Sequence, residues 1–162
     1  MNKHSWLTFP LFLAVIGMPY PTQTENLRIA YELSLSRCRE HSCRSETATR
    51  GDVQVSLEEE EANFLSGYSP VEVHVGNLAY QLRFNLSRVS ENKRVKRSLT
   101  MGFSGRTVTL TGKQLTWGEK SYSDKTWSAL KNVAVSGTVY SENDESITPT
   151  LTVLDVSLVN SR

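Results

Sequence analysis

Two cysteines and a histidine lie close together in the string CREHSC, which runs from Cys38 to Cys43. An even number of cysteines at short spacing predicts a disulfide in an exported chain, here one that closes the tip of a hairpin. The alternative is copper or zinc ligation by Cys38, His41 and Cys43, for which a fourth ligand at structural-site spacing is missing. A redox-active pair is disfavoured, because such pairs usually have the spacing C-x-x-C at the start of a helix. We therefore predict a disulfide and no metal site.

Residues for acid–base or nucleophilic catalysis are not arranged in a known motif. The G-x-S-x-G nucleophile elbow is absent, and the nearest string, Gly102–Gly105, is interpreted as a hairpin turn. His74 alternates with Val73 and Val75, which places it beside Glu72 on the outward face of a strand, where a solvated histidine is the ordinary interpretation. We predict no catalytic residue and no cofactor, and a hydrolase on a β scaffold remains an alternative.

Aromatic side chains are concentrated in a polar segment from Trp117 to Trp127. Amphipathic rings among Gly, Ser, Lys and Asp are typical of contact sites for a protein or a glycan. The competing interpretation is that the two tryptophans end adjacent strands and cap the core. The segment is predicted to be an exposed loop or hairpin tip that binds a partner through Trp117, Lys120, Tyr122, Lys125 and Trp127.

Two short runs of like charge stand out from a balanced background. Glu58–Glu61 is predicted to be a solvated loop or the first turn of a short helix within Leu57–Leu65. The basic patch Lys93, Arg94, Lys96 and Arg97 is predicted at a turn, where it blocks edge-to-edge aggregation or meets an anionic surface or partner. The chain has 18 Lys+Arg and 17 Asp+Glu, so it has no global basic field, and a nucleic-acid partner is disfavoured.

Period-two alternation of apolar and polar residues dominates the chain and predicts strands with one buried face. It runs through Leu27–Leu35, Val53–Leu57, Val71–Val75 and Leu78–Leu86. Helical signals are scarce. We predict an all-β fold, an antiparallel meander of seven to nine strands with at most one short helix, closed as a sandwich or a small barrel.

Three hairpins are predicted from turn residues and register. Gly76-Asn77 is a two-residue turn that pairs Val73 with Tyr80. A turn at Ser104-Gly105 pairs Met101 with Val108 and Leu99 with Leu110, and Val133–Tyr140 pairs with Thr150–Val159, with a bulge expected between Val153 and Leu154. These registers bury Val73, Tyr80, Leu82, Phe84, Leu99, Met101, Val108 and Leu110, and expose Glu72, His74, Gln81 and Arg83.

The first residues indicate the compartment. Residues 1–17 combine Lys3, an apolar run from Trp6 to Ile16 and a small Gly17, which is typical of a cleaved secretory signal peptide. Residues 18–162 are predicted to be one domain without a transmembrane segment, secreted or periplasmic. We expect a non-catalytic binding module of the bacterial envelope, an accessory or assembly factor or an inhibitor, whose partner is an envelope or secreted protein or a glycan. A carrier with an internal apolar cavity is a further alternative.

Overall fold

The computed structural model describes residues 23–109 and 111–160, and it is built almost entirely of antiparallel β-structure. The predicted all-β meander is confirmed, at the upper end of the expected strand number. Within these residues, one 3-10 turn, Trp127–Leu130, interrupts the strands. The strands are β1 Thr24–Arg39, β2 Ser42–Glu61, β3 Phe64–Val75, β4 Leu78–Glu91, β5 Arg94–Thr107, β6 Gln114–Asp124, β7 Val133–Ser136, β8 Tyr140–Glu142 and β9 Glu145–Leu158.

The strands form one sheet that curls into a nearly closed barrel. Its order is β6-β5-β4-β3-β2-β1-β9-β7. The short strand β8 pairs with the first residues of β9, Glu145–Ile147, whereas β7 pairs with Thr150–Val153 of the same strand. The two ends of this order meet where Trp117 of β6 contacts Thr138, which lies two residues beyond the end of β7. The Thr138 N–H donates to the carbonyl of Trp117 at 3.0 Å, and the Trp117 N–H donates to the Thr138 hydroxyl at 3.2 Å. The barrel alternative is therefore the correct closure of the sheet.

Glycine allows close contact at this seam. A Cβ atom on Gly118 would lie 2.9 Å from the carbonyl oxygen of Ser136, and one on Gly137 would lie 2.6 Å from the ring of Phe103. Such distances are too short for a side chain, so both positions need the bare backbone of glycine. The third predicted hairpin is present, but its first strand is divided into β7 and β8 by the residues that make the seam.

The opposite wall of the barrel is incompletely paired. Within the described residues, β2 and β3 pair only from Glu58 with Ser66 to Glu61 with Phe64, whereas β3 pairs with β4 along its whole length. In the described part of the chain, β3 beyond Ser66 has no strand partner on its β2 side. As a result Val71, Val73 and Val75 are only half-buried, although the register of the Gly76-Asn77 hairpin is as predicted.

The predicted hairpin at Ser104-Gly105 is wrong, because β5 continues through both residues to Thr107. A Cβ on Gly105 would lie 2.8 Å from the ring of Tyr80 and from a methyl group of Thr116. Glycine here makes room for a packed ring and is not a turn residue. The chain turns after Thr107 instead, which leaves Val108 56% exposed rather than buried; Leu110 lies outside the described residues.

Two further predictions have opposite outcomes. The possible helix within Leu57–Leu65 is wrong, since those residues end β2, turn at Ala62–Asn63 and begin β3. The bulge between Val153 and Leu154 is confirmed: Tyr31 pairs with Val153 and Ala30 with Asp155, so that Leu154 has no partner on β1. The shift in the period-two pattern identified this bulge correctly, because one extra residue in a strand shifts the alternation of the residues that follow it.

The interior is filled by apolar side chains from all sides of the barrel. Tyr80, Leu82, Phe84, Leu99 and Met101 are completely buried, as predicted. The rings of Tyr31 and Phe84 pack across the interior with centroids 5.5 Å apart. Glu72, His74 and Gln81 face outward as predicted, whereas Arg83 is half-buried. The core therefore occupies the space in which a carrier would hold its ligand.

Within residues 23–109 and 111–160, no helix is long and apolar enough to cross a bilayer. The predicted signal peptide, residues 1–17, lies outside the described residues.

Candidate binding surfaces

The tip of the β1–β2 hairpin carries the predicted disulfide. Cys38 pairs with Cys43 in the ladder, with their Cα atoms 4.1 Å apart and their sulfur atoms bonded. The side chains of Glu40 and His41, which form the two-residue turn, are exposed. Because both sulfur atoms are used in the disulfide, they are not available as metal ligands. The disulfide prediction is confirmed.

The segment from Trp117 to Trp127 is not an exposed loop. Its first part lies in β6, and only Lys125 and Thr126 connect that strand to the 3-10 turn. Trp127 is 5% exposed, whereas Trp117 is 53% exposed. Tyr122 is half-buried, and its hydroxyl donates to the carbonyl of Ala134. The loop prediction is wrong because Tyr122 and Trp127 satisfy their polar atoms inside the fold and use their rings for packing.

The five residues predicted to bind a partner also do not share one surface. Trp117 pairs with Ser104 on the outward face, but Lys120 pairs with Met101 and Tyr122 with Leu99, which face inward. The Lys120 ammonium lies 5.2 Å from the centre of the Tyr122 ring. Lys120 and Lys125 are exposed, yet neither belongs to the outward row of Trp117. Trp117 is thus the one large ring of the segment that is available on the outer face.

Around Trp117, the outer face of β4, β5 and β6 is polar. In the neighbouring row of the sheet, Arg83 pairs with Gly102 and Gly102 with Glu119. Nη2 of Arg83 and Oε2 of Glu119 form an ion pair at 3.9 Å across this glycine. An exposed indole bordered by charged groups resembles the centre and rim of a protein interface.

Trp127 closes one end of the barrel. Its indole N–H donates to Oε1 of Glu25 at 2.9 Å, and Nη1 of Arg88 lies 3.5 Å from Oε2 of the same carboxylate. The guanidinium of Arg97 lies 5.7 Å from the centre of the Trp127 ring and donates to the carbonyl of Lys125. Sequence analysis missed Glu25 and Arg88, because partners on β1, β4 and the 3-10 turn are distant in the chain and have no local signal.

The basic patch lies at the same end, on the β4–β5 hairpin. Its turn residues Asn92 and Lys93 both have positive φ, at 48° and 64°, which is typical of a two-residue hairpin turn. The hairpin lines an open groove of about 1710 Å³ together with Ser123–Lys125. The side chains of Lys93, Arg94 and Lys96 are exposed, whereas Arg97 is half-buried against Trp127. Arg97 therefore has a structural contact that the other three basic residues lack.

The two histidines in the described part of the chain, His41 and His74, are both exposed. Nε2 of His74 is 2.9 Å from Oε1 of Glu72, and both side chains are exposed on the outer face of β3. His41 is in the exposed disulfide tip. In the part of the chain that the structure describes, no group of three or more His, Cys, Asp and Glu side chains is placed to hold a metal ion.

Polar groups inside the barrel have shifted pKa values. Burial raises the pKa of the Tyr80 hydroxyl far above its ordinary value, and its 3.2 Å hydrogen bond with Tyr140 adds to this. Burial also raises the pKa of Tyr140 and, together with the charge of Asp52, that of Tyr31. The hydrogen bond from Arg37 to Glu46 raises the pKa of the guanidinium. The tyrosines thus contribute neutral hydroxyls to the core.

Comparisons with known proteins do not identify a family. No protein-family model matches the chain, and no curated protein matches it significantly. A solved structure that matches is the crystal structure of Ail, the attachment invasion locus protein of Yersinia pestis, at 8% sequence identity and a TM-score of 0.27. The match covers 83% of this chain and 97% of that chain.

Proposed function

We propose that this chain is an exported, non-catalytic binding module of a bacterial cell envelope, acting as an accessory or assembly factor or as an inhibitor of a secreted enzyme. The observation that carries the proposal is the contrast between the filled interior and the exposed ring of Trp117. Phe84, Phe103 and Tyr80 are completely buried in the barrel interior, together with the aliphatic side chains of the core. Recognition is therefore assigned to the outer surface, where an aromatic anchor is available.

The disulfide and the charged side chains on the outer face of the barrel support the assignment to the envelope. Disulfides persist in oxidising compartments such as the periplasm or the cell exterior. Arg28 and Asp52 form an ion pair on the outer face at 3.1 Å, and Glu32 pairs with Arg50 there. A barrel that spans a bilayer presents an apolar band outward, so these charged rows favour a barrel surrounded by water.

The partner surface is assigned to Trp117 together with Arg83 and Glu119. Interfaces commonly place one large aromatic in a desolvated centre and charged groups at a hydrated rim. A protein partner fits this arrangement, and a glycan stacking on the indole is the alternative.

Site-specific photo-crosslinking in intact cells tests this assignment. A photo-reactive residue at position 119 lies beside Trp117, and the same residue at position 50 is a control on the distant outer face of β2. We expect a discrete adduct from position 119 and none from position 50, and Trp117→Ala should remove the adduct. Equal adducts from both positions, no adduct from 119, or an adduct indifferent to Trp117→Ala would each refute the proposed surface.

Cell fractionation tests the compartment separately. We expect the processed chain in the periplasmic or extracellular fraction with the Cys38–Cys43 bond formed. A reduced chain retained in the cytoplasm would contradict the envelope assignment without bearing on the Trp117 surface.

A further inference from the structure

Two hairpins of opposite charge stand side by side at the end of the barrel that Trp127 closes. The acidic hairpin is the β2–β3 connection with Glu58–Glu61, and the basic hairpin is the β4–β5 connection with Lys93–Arg97. The two are in contact, since the N–H of Ser90 donates to the carbonyl of Asn63 at 2.9 Å. Their relative position is thus fixed by the backbone and does not depend on mobile side chains.

The charges of these hairpins are not neutralised inside the described fold. No ion pair within residues 23–109 and 111–160 includes Glu58–Glu61, Lys93, Arg94 or Lys96. Elsewhere on the barrel, cations such as Arg28, Arg37 and Arg50 are paired with carboxylates. Unpaired charge of both signs therefore lies side by side at this end.

The two hairpins also differ in how they present their charge: the basic hairpin lines a groove, and the acidic hairpin is exposed. The basic hairpin and Ser123–Lys125 line an open groove of about 1710 Å³, in which five basic side chains outnumber the carboxylates of Glu91 and Asp124. The four glutamates of the acidic hairpin are all exposed at the neighbouring position on the rim. One molecule thus presents a groove of net positive charge and an exposed hairpin of negative charge next to each other.

We propose that two copies of this chain associate end to end, with the acidic hairpin of each copy in the basic groove of the other. A two-fold axis between two adjacent patches of opposite charge brings each patch onto its complement in the second copy. Both contacts are then attractive, and the interface closes without leading to fibres. The inference is independent of the partner surface at Trp117, which lies on the outer face of β6.

The adjacent glutamates favour a second copy over an anionic membrane surface. A flat anionic surface pressed against this end would meet Glu58–Glu61 together with the basic groove, and the like charges would repel each other. A second copy supplies both signs. Exposed ion pairs are individually weak and are screened by salt, so the dimer should be reversible and sensitive to ionic strength.

Sedimentation velocity of the purified chain at two salt concentrations tests the proposal. Charges interact over about 30 Å at about 0.01 M salt but only about 3 Å at about 1 M. We expect dimers at low salt and at least about tenfold weaker association at high salt. A monomer at every concentration at low salt would overturn the proposal, and so would a dimer indifferent to salt.

Paired charge reversals provide the decisive comparison. R94E/K96E changes the net charge of Lys93–Arg97 from +4 to 0, and E58K/E61K changes that of Glu58–Glu61 from −4 to 0, at side chains without ion pairs in the described fold. Each variant alone has lost one of the two complementary hairpins and should be monomeric. An equimolar mixture pairs the unchanged acidic hairpin of one variant with the unchanged basic hairpin of the other and should form a heterodimer. The control K113E/K120E changes the net charge as R94E/K96E does, away from this end, and should still dimerise.

Circular dichroism first establishes that each variant is folded, and failure of a folded mixture to associate would overturn the proposal. Vesicles of anionic phospholipid provide the competing test. Wild-type chain that binds them while remaining monomeric in their absence, and that loses binding in R94E/K96E, would replace the second copy by a lipid surface.

Discussion

Trp127 and Glu25 are 102 positions apart in the chain, yet the indole N–H of Trp127 donates to the Glu25 carboxylate at 2.9 Å. The same carboxylate lies near Arg88 of β4, so that one acidic side chain connects β1, β4 and the 3-10 turn. This contact closes the end of the barrel. The two tryptophans near β6 therefore differ: Trp127 is a structural residue, and Trp117 is accessible at the surface.

We expect Trp127→Ala to lower the free energy of unfolding by about 3–5 kcal/mol, because a buried ring is lost and Glu25 loses a donor. Trp117→Ala is the matched control and should cost about 1 kcal/mol or less, since half of its surface is already exposed. Urea denaturation followed by far-UV circular dichroism measures both values. Equal costs would show that Trp117 is also part of the core.

The alternation of apolar and polar residues predicted the strands well, because the burial of one strand face is visible in residues that are close together in the chain. The alternation through Leu27–Leu35 and Leu78–Leu86 corresponds to inward-facing residues of β1 and β4. The Gly76-Asn77 turn and the bulge at Leu154 were also predictable, since each changes the pattern within a few residues. Such signals are sufficient to predict which two strands pair in a hairpin and in which register.

Features that depend on distant partners were not predictable. Gly105 was interpreted as a turn residue, but it makes room for Tyr80 of a neighbouring strand. Four successive glutamates suggested a helix start, yet they extend β2, because Glu58 pairs with β1 and Glu58–Glu61 pair with the start of β3. Trp127 in a polar stretch suggested a contact site, and its partner Glu25 lies at the other end of the chain.

The Cys38–Cys43 disulfide is expected to make a small contribution to stability. It closes a loop of only a few residues, for which the loop-entropy model gives about 2 kcal/mol. β1 also remains paired with both β2 and β9 near its end. Replacing both cysteines by serine should therefore lower the free energy of unfolding by about 2 kcal/mol while the circular dichroism spectrum is retained. Loss of the folded spectrum would show that the tip is required for folding.

The buried Tyr80–Tyr140 pair predicts a loss of stability in alkali. Burial raises the pKa of both hydroxyls above the ordinary value of about 10. Below that pH both tyrosines are neutral in the folded and the unfolded chain, and their contribution is fully present. Above it the unfolded chain loses these protons while the folded chain keeps them, so the free energy of unfolding falls as pH rises.

For Tyr80 this loss amounts to about 1.4 kcal/mol for each pH unit above about 10, until the folded protein itself loses the proton. Tyr80→Phe with Tyr140→Phe removes both ionisable groups and the hydrogen bond between them, so stability near neutral pH should change little. Urea denaturation between pH 8 and about pH 11 should then show a clearly shallower decline for the double variant than for the wild type, with Tyr31 responsible for part of what remains. Tyr68→Phe, at an exposed position, should retain the wild-type decline. A double variant whose stability falls as steeply as that of the wild type would show that the buried pair is not the source of alkaline unfolding.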